Sequence, residues 1–135
     1  MIYGIGIDLV NIQRLNRIID RWGMRFLRRV FTMQEIDFCF QRPRPASSFA
    51  LRFAAKEAFS KALGLGMRKG ITWQDIEVVH HQSGRPELTI AGKALRFCQH
   101  KGIMSWHVTL SDEGDYGTAM VVIEKSGAAE KRNAD

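Results

Sequence analysis

The feature that most constrains the fold is one unbroken helical pattern, residues 47 to 63, held between two stops. Before it, Arg42-Pro43-Arg44-Pro45 forms a loop, because each proline pushes the residue ahead of it out of the helical region. After Leu63, Gly64 and Gly66 end the helix, since glycine takes the left-handed conformation of a C-terminal cap without strain. Ser47 or Ser48 is the expected N-cap. One side of this helix carries Leu51, Ala55, Ala58 and Ala62, small enough for another element to approach closely. The other side lines up Phe53, Glu57, Ser60, Lys61 and Gly64 at spacings of three and four.

The remaining chain supplies partners for that helix. Residues 2 to 8 read as a strand, with Ile5 and Ile7 on one face and Gly4, Gly6 and Asp8 on the other. Asn11 caps a helix whose apolar stripe is Leu15, Ile18, Ile19, Trp22 and Phe26, with a break expected near Gly23. Thr32 and Glu35 form a capping box that starts a short helix through Phe40. Strands at 76–81 and 87–90, a helix at 91–100, and strands at 104–111 and 116–124 complete the pattern. The fold class is α+β, helices packed on a mostly antiparallel sheet, in a single domain over 1–125. Residues 126–135 read as a disordered C-terminal tail.

Composition narrows the function. No stretch approaches the ~18 apolar residues that cross a bilayer, and the start of the chain reaches Asp8 too early for a signal peptide. The expected location is cytoplasmic, without a membrane partner. Cys39 and Cys98 sit inside apolar helical patterns and are expected as buried, reduced thiols. Twenty Lys plus Arg against fourteen Asp plus Glu leave a net charge of +6, which favours an anionic partner. Arg14, Arg17, Arg21, Arg25 and Arg28 fall on one stripe if their helix continues past Gly23. Such a row docks an acidic surface, since arginine pairs with carboxylates and phosphates in a fixed fork. It also fits an alternative class, a small basic nucleic-acid-binding module. That alternative gives no work to Asp8, Glu57 and Lys61.

Those three residues carry the chemistry. Asp8 ends an apolar strand, and the glycines on its face leave room beside the carboxylate for a ligand. Glu57, with Lys61 one turn on, adds a second carboxylate and an ammonium. Each has a plain structural reading, as a helix cap or as an exposed Glu–Lys pair. If the two stretches share a site, the carboxylates suit magnesium, which prefers oxygen, keeps several waters and completes its shell with phosphates. Phosphoryl transfer works through such positioning and charge neutralisation. His107 stands within the strand Trp106 to Leu110, where a histidine is more often structural than catalytic; His80 and His81 point to opposite faces, a poor arrangement for one metal.

Gly4-Ile5-Gly6-Ile7-Asp8 and Arg52-Phe53-Ala54-Ala55-Lys56-Glu57-Ala58-Phe59-Ser60-Lys61-Ala62-Leu63-Gly64 resemble the two defining motifs of holo-acyl-carrier-protein synthases, in the phosphopantetheinyl transferase superfamily. Phe31-Thr32 with Glu35, residues 75–78, Gly84 with Pro86, and residues 107–111 match in order. The resemblance implies a phosphopantetheinyl transferase fold and transfer of the 4'-phosphopantetheine arm of coenzyme A to a serine of acyl carrier protein, in support of fatty acid biosynthesis. It implies that Asp8 and Glu57 bind Mg2+ and that Lys61 lies near the coenzyme's pyrophosphate. Arg52, Gly64 and His107 are implied to line the coenzyme pocket, and the helix of Arg14 and Arg21 to receive the carrier protein. It further implies a homotrimer with active sites between subunits, so that Arg52 or His107 need not meet Asp8 and Glu57 of the same chain. Asp112 stands where many members have histidine.

Overall fold

A computed structural model describes residues 1–127; from residue 128 on, the expected tail lies outside the described residues. The elements are β1 (Ile2–Asn11), α1 (Ile12–Trp22), α2 (Met24–Val30), α3 (Met33–Phe40) and α4 (Pro45–Leu63), then a short 3-10 turn (Trp73–Asp75). β2 (Ile76–His80), β3 (Pro86–Ile90), α5 (Gly92–His100), β4 (Ile103–Glu113) and β5 (Tyr116–Lys125) follow. β1, β5 and β4 form one antiparallel sheet in that order, and β2 and β3 form a separate antiparallel hairpin. This is the α+β arrangement expected. Among the described residues no helix is long and apolar enough to cross a membrane.

α4 lies across one face of the three-stranded sheet, and two glycines determine how closely. A β-carbon on Gly4 would fall 2.0 Å from the Ala62 carbonyl oxygen, and one on Gly6 1.9 Å from that of Ala58. Contrary to the expectation from the sequence, the glycines of β1 therefore leave no room for a ligand. They admit the helix backbone itself, and Ala58 and Ala62 present the small side chains that this approach needs. Around this seam, Phe31, Phe49, Phe59, Ile36, Ile76, Val121 and Ile123 are buried. Cys39 and Cys98 are buried and free.

One expectation about helix ends holds and one fails. The break expected near Gly23 is present: this residue takes φ 59° and separates α1 from α2, so the condition for one continuous arginine stripe is not met and the row is split between two helices. α4 starts earlier than either serine, with Arg44 as N-cap and Pro45 in its first turn. Proline suits that position, because its fixed φ is helical and its missing N–H would have no intrahelical partner. Ser47 and Ser48 are consequently buried inside the helix. The Thr32–Glu35 capping box forms as expected, with Thr32 Oγ1 accepting from the Glu35 amide and Glu35 Oε1 accepting from the Thr32 amide.

Glu35 has a second task. Its Oε1 pairs with Lys56 Nζ at 2.8 Å, both side chains being 0% exposed. The ammonium also donates to the carbonyls of Trp73 and Ile76, while Glu35 Oε2 accepts from the Val78 amide at 2.9 Å. A buried charge pair survives only when its remaining hydrogen-bonding capacity is satisfied, and here each group has further partners. The network ties α3, α4 and the start of β2 together.

The opposite face of the sheet has no cover among the described residues. Ile5, Ile7 and Leu9 are 59%, 62% and 64% exposed, and Met120 of β5, opposite Ile7, is exposed beside them.

Candidate active site

The glycine seam determines where Asp8 falls. Gly4 meets α4 at Ala62 and Gly6 meets it one turn earlier at Ala58. Two strand residues advance about 6.6 Å and four helical residues about 6 Å, so the elements run past each other nearly in step. The next residue on this strand face, Asp8, thus arrives beside the turn that carries Glu57. The two carboxylates, 49 positions apart in sequence, line one cavity of about 370 Å³ with Asn11, Arg14, Phe26 and Phe53.

Local contacts hold this corner. Asn11 accepts from the Arg14 amide at 2.9 Å and caps α1 directly after β1, which keeps Arg14 at the cavity. Thr118 Oγ1 donates to the Asp8 carbonyl at 2.7 Å. Lys61 Nζ sits 2.9 Å from Asp8 Oδ1 and donates to the Ile7 carbonyl at 3.0 Å. Phe53 stacks on Trp73, with ring centroids 5.1 Å apart, and so forms a firm cavity wall. Burial pushes the Glu57 carboxyl above its ordinary range, the Asp8 carboxylate pushes it further, and Lys61 opposes both.

That electrostatic pattern fits a divalent cation. Two neighbouring carboxylates strain against each other, and a cation between them relieves the repulsion. Among the described residues no group of three or more His, Cys, Asp or Glu side chains forms a metal cage. A two-carboxylate site instead suits an ion that takes the rest of its shell from water and phosphate, as magnesium does.

The other expected site residues are placed apart from this pair. Arg52 is buried on α4, where Nη1 donates to Ser48 Oγ at 3.0 Å and Nη2 meets His80 Nδ1 at 3.1 Å, with the guanidinium over Phe38. It lines a second cavity, about 490 Å³, with Arg42, Arg44, Ser47, His80 and Asp112. Since arginine only donates, His80 Nδ1 accepts; burial and the Arg52 and Arg42 charges hold this imidazole below its ordinary range. Arg52 Nε and Ser47 Oγ have no hydrogen-bond partner among the described residues. Gly64, at φ 81°, caps the end of α4 beyond Lys61. His107 lies on β4 and lines a third depression with Arg85, Pro86, Glu87 and Trp106. Arg21 closes α1 with its guanidinium 5.2 Å from the Trp22 ring.

Sequence reasoning gave Lys56 no role, took Ser48 only as a possible N-cap and set His80 aside as half of a poor metal pair. Only the charge of Lys56 among small residues hinted at an unusual place, and no local spacing links it to Glu35, 21 positions away.

Comparisons with known proteins give the family. The family model for the 4'-phosphopantetheinyl transferase superfamily matches residues 4–121. A holo-[acyl-carrier-protein] synthase of Geobacter sulfurreducens is 46% identical over 125 residues, covering 93% of this chain and 99% of the relative. The crystal structure of the Neisseria meningitidis holo-[acyl-carrier-protein] synthase superposes with a TM-score of 0.87 at 38% identity, over 93% of this chain and all of that one. The Helicobacter pylori enzyme, solved in complex with coenzyme A, has a TM-score of 0.79 at 32% identity, over 89% of this chain and 99% of that one. With most of its length matched by the family model and by relatives well above 30% identity, the chain belongs to the 4'-phosphopantetheinyl transferase superfamily, in its holo-[acyl-carrier-protein] synthase family.

Proposed function

We infer that this chain transfers the 4'-phosphopantetheine moiety of coenzyme A to a serine of apo-acyl carrier protein, giving the holo carrier and adenosine 3',5'-bisphosphate. Beyond family membership, the observation that supports this most is the convergence of Asp8, Glu57 and Arg14 on one cavity, with Lys61 bound to Asp8. Two carboxylates, a half-exposed ammonium and a cationic rim are what a diphosphate donor and an acidic protein acceptor require together.

Asp8 and Glu57 are the proposed ligands of Mg2+. When bound there, the ion would neutralise the pyrophosphate of coenzyme A and draw charge from the departing phosphate. Lys61, half-exposed on a flexible stem, turns from Asp8 toward the same phosphates. The carrier serine hydroxyl attacks the phosphorus attached to pantetheine. The bond from that phosphorus to the adenosine 3',5'-bisphosphate leaving group breaks as the new one forms. A carboxylate of this site, or a water hydrogen-bonded to one, takes the serine proton.

Arg14 at the cavity and Arg21 at the far end of α1 are the proposed contacts for the acidic carrier. Arg52, Gly64 and His107 are assigned to coenzyme A. Because Arg52 and His107 line hollows other than the Asp8–Glu57 cavity, the assignment fits a site shared between copies. The uncovered face of Ile5, Ile7 and Leu9 supports a homotrimer, since apolar surface of this kind marks a contact.

The test is mass spectrometry of an apo carrier protein incubated with enzyme, coenzyme A and Mg2+. The expected product gains one phosphopantetheine per carrier, and chelation of the metal stops the gain. An unmodified carrier under saturating conditions would refute the assignment.

A further inference from the structure

The side chain that the coenzyme assignment leaves unexplained is Glu124. It stands on β5 directly opposite Ser105 of β4, two residues from His107 on the same face of that strand. One oxygen, Glu124 Oε1, accepts from Ser105 Oγ at 3.1 Å and lies 2.7 Å from His107 Nε2. The imidazole is largely exposed, so this contact is what orients it. The hydrogen bonds from His107 and then Ser105 hold the Glu124 carboxyl below its ordinary range, and the nearby N-terminal amine acts in the same direction. A carboxylate accepts only, so the shared hydrogen belongs to Nε2. When one ring nitrogen of a histidine is committed in this way, the other becomes the working atom.

We propose that Glu124, steadied by Ser105, is a positioning residue for coenzyme A binding, fixing the His107 ring in the Nε2–H form and leaving Nδ1 to meet the coenzyme. This rests on the assignment of His107 to the coenzyme. Glu124 itself touches no substrate. Its effect passes through the orientation and tautomer of its neighbour.

The experiment compares Glu124→Ala, Glu124→Gln, His107→Gln and the E124A/H107Q double variant in the full chain. With saturating carrier and Mg2+, E124A should raise the KM for coenzyme A roughly threefold to tenfold, the range of one partly exposed hydrogen bond, with kcat nearly unchanged. E124Q, which keeps an acceptor, should fall between E124A and the wild type. In 15N-histidine-labelled enzyme, the His107 signals should show the Nε2–H tautomer in the wild type and a mixture in E124A, a change that a general loss of packing would not produce. E124A should add nothing further to the KM of H107Q. A wild-type KM in H107Q would overturn the coenzyme assignment and this inference with it. A raised KM in H107Q beside a wild-type KM or an unchanged tautomer in E124A would overturn the inference alone, as would a full E124A effect in the H107Q background.

Discussion

The carbonyl oxygen of Ala58 occupies the place a β-carbon on Gly6 would take, 1.9 Å from it. This contact controls both the packing of α4 on the sheet and the meeting of Asp8 with Glu57. Gly6→Ala forces the helix and strand apart. A backbone clash of this kind costs about 2–4 kcal/mol, measurable by urea denaturation, and transferase activity should fall further than the fraction of folded protein does. A Gly6→Ala variant with wild-type stability and turnover would show that the seam has more freedom than the structure gives it.

The buried pair of Lys56 and Glu35 predicts asymmetric mutational costs. Lys56→Met alone leaves a buried carboxylate uncompensated and should destabilise by about 3–5 kcal/mol. Adding Glu35→Leu should recover a large part of that loss, because an apolar pair needs no charge compensation. A double-mutant cycle by chemical denaturation reads the coupling; additive losses would contradict it.

Glu57 predicts an opposition between activity and stability. Its carboxyl is held above the ordinary range by burial and by Asp8, so its ionisation opposes folding. That penalty is absent below the ordinary carboxylate range and fully present above the raised midpoint. Glu57→Gln should therefore increase the melting temperature at pH 8, with a gain that disappears near pH 4, while abolishing transfer. In the wild type at limiting Mg2+, activity should fall on acidification at a higher pH than an ordinary glutamate would give. Calorimetry across pH and initial rates at several Mg2+ concentrations check these outcomes.

Arg14 and Arg21 should act on the carrier protein rather than on coenzyme A. Reversing both to Glu should raise the KM for the carrier about tenfold or more at low salt, with a penalty that shrinks as salt rises. Steady-state kinetics at two ionic strengths distinguish this from a general loss of activity. An unchanged carrier KM would remove α1 from the interface.

The uncovered sheet face predicts the effect of a charge placed on it. Ile7→Lys puts an ammonium among Ile5, Leu9 and Met120, exposed apolar neighbours on that face. The wild type should sediment as a trimer and Ile7→Lys as a smaller species with little activity. A monomeric wild type that is fully active would refute the shared site.

Local features of the sequence largely dictated the elements. The Thr32–Glu35 capping box, the Asn11 cap, the Gly64 stop and the alternation of β4 and β5 each depend on residues a few positions apart, where backbone geometry leaves few options. Motif resemblance also singled out Asp8, Glu57 and Lys61 as the proposed site residues. What the glycines of β1 were for, which partner Lys56 met and what surrounded Arg52 were decided only by tertiary structure. Gly6 and Ala58, Glu35 and Lys56, and Arg52 and His80 lie tens of positions apart. Contacts over such separations depend on how whole helices and strands pack, and neither periodicity nor composition records that. Proline's fixed φ likewise outweighed the capping preference of Ser47 and Ser48, because the loop brought Arg44 and Pro45 into line with the helix axis and carried both serines into the interior.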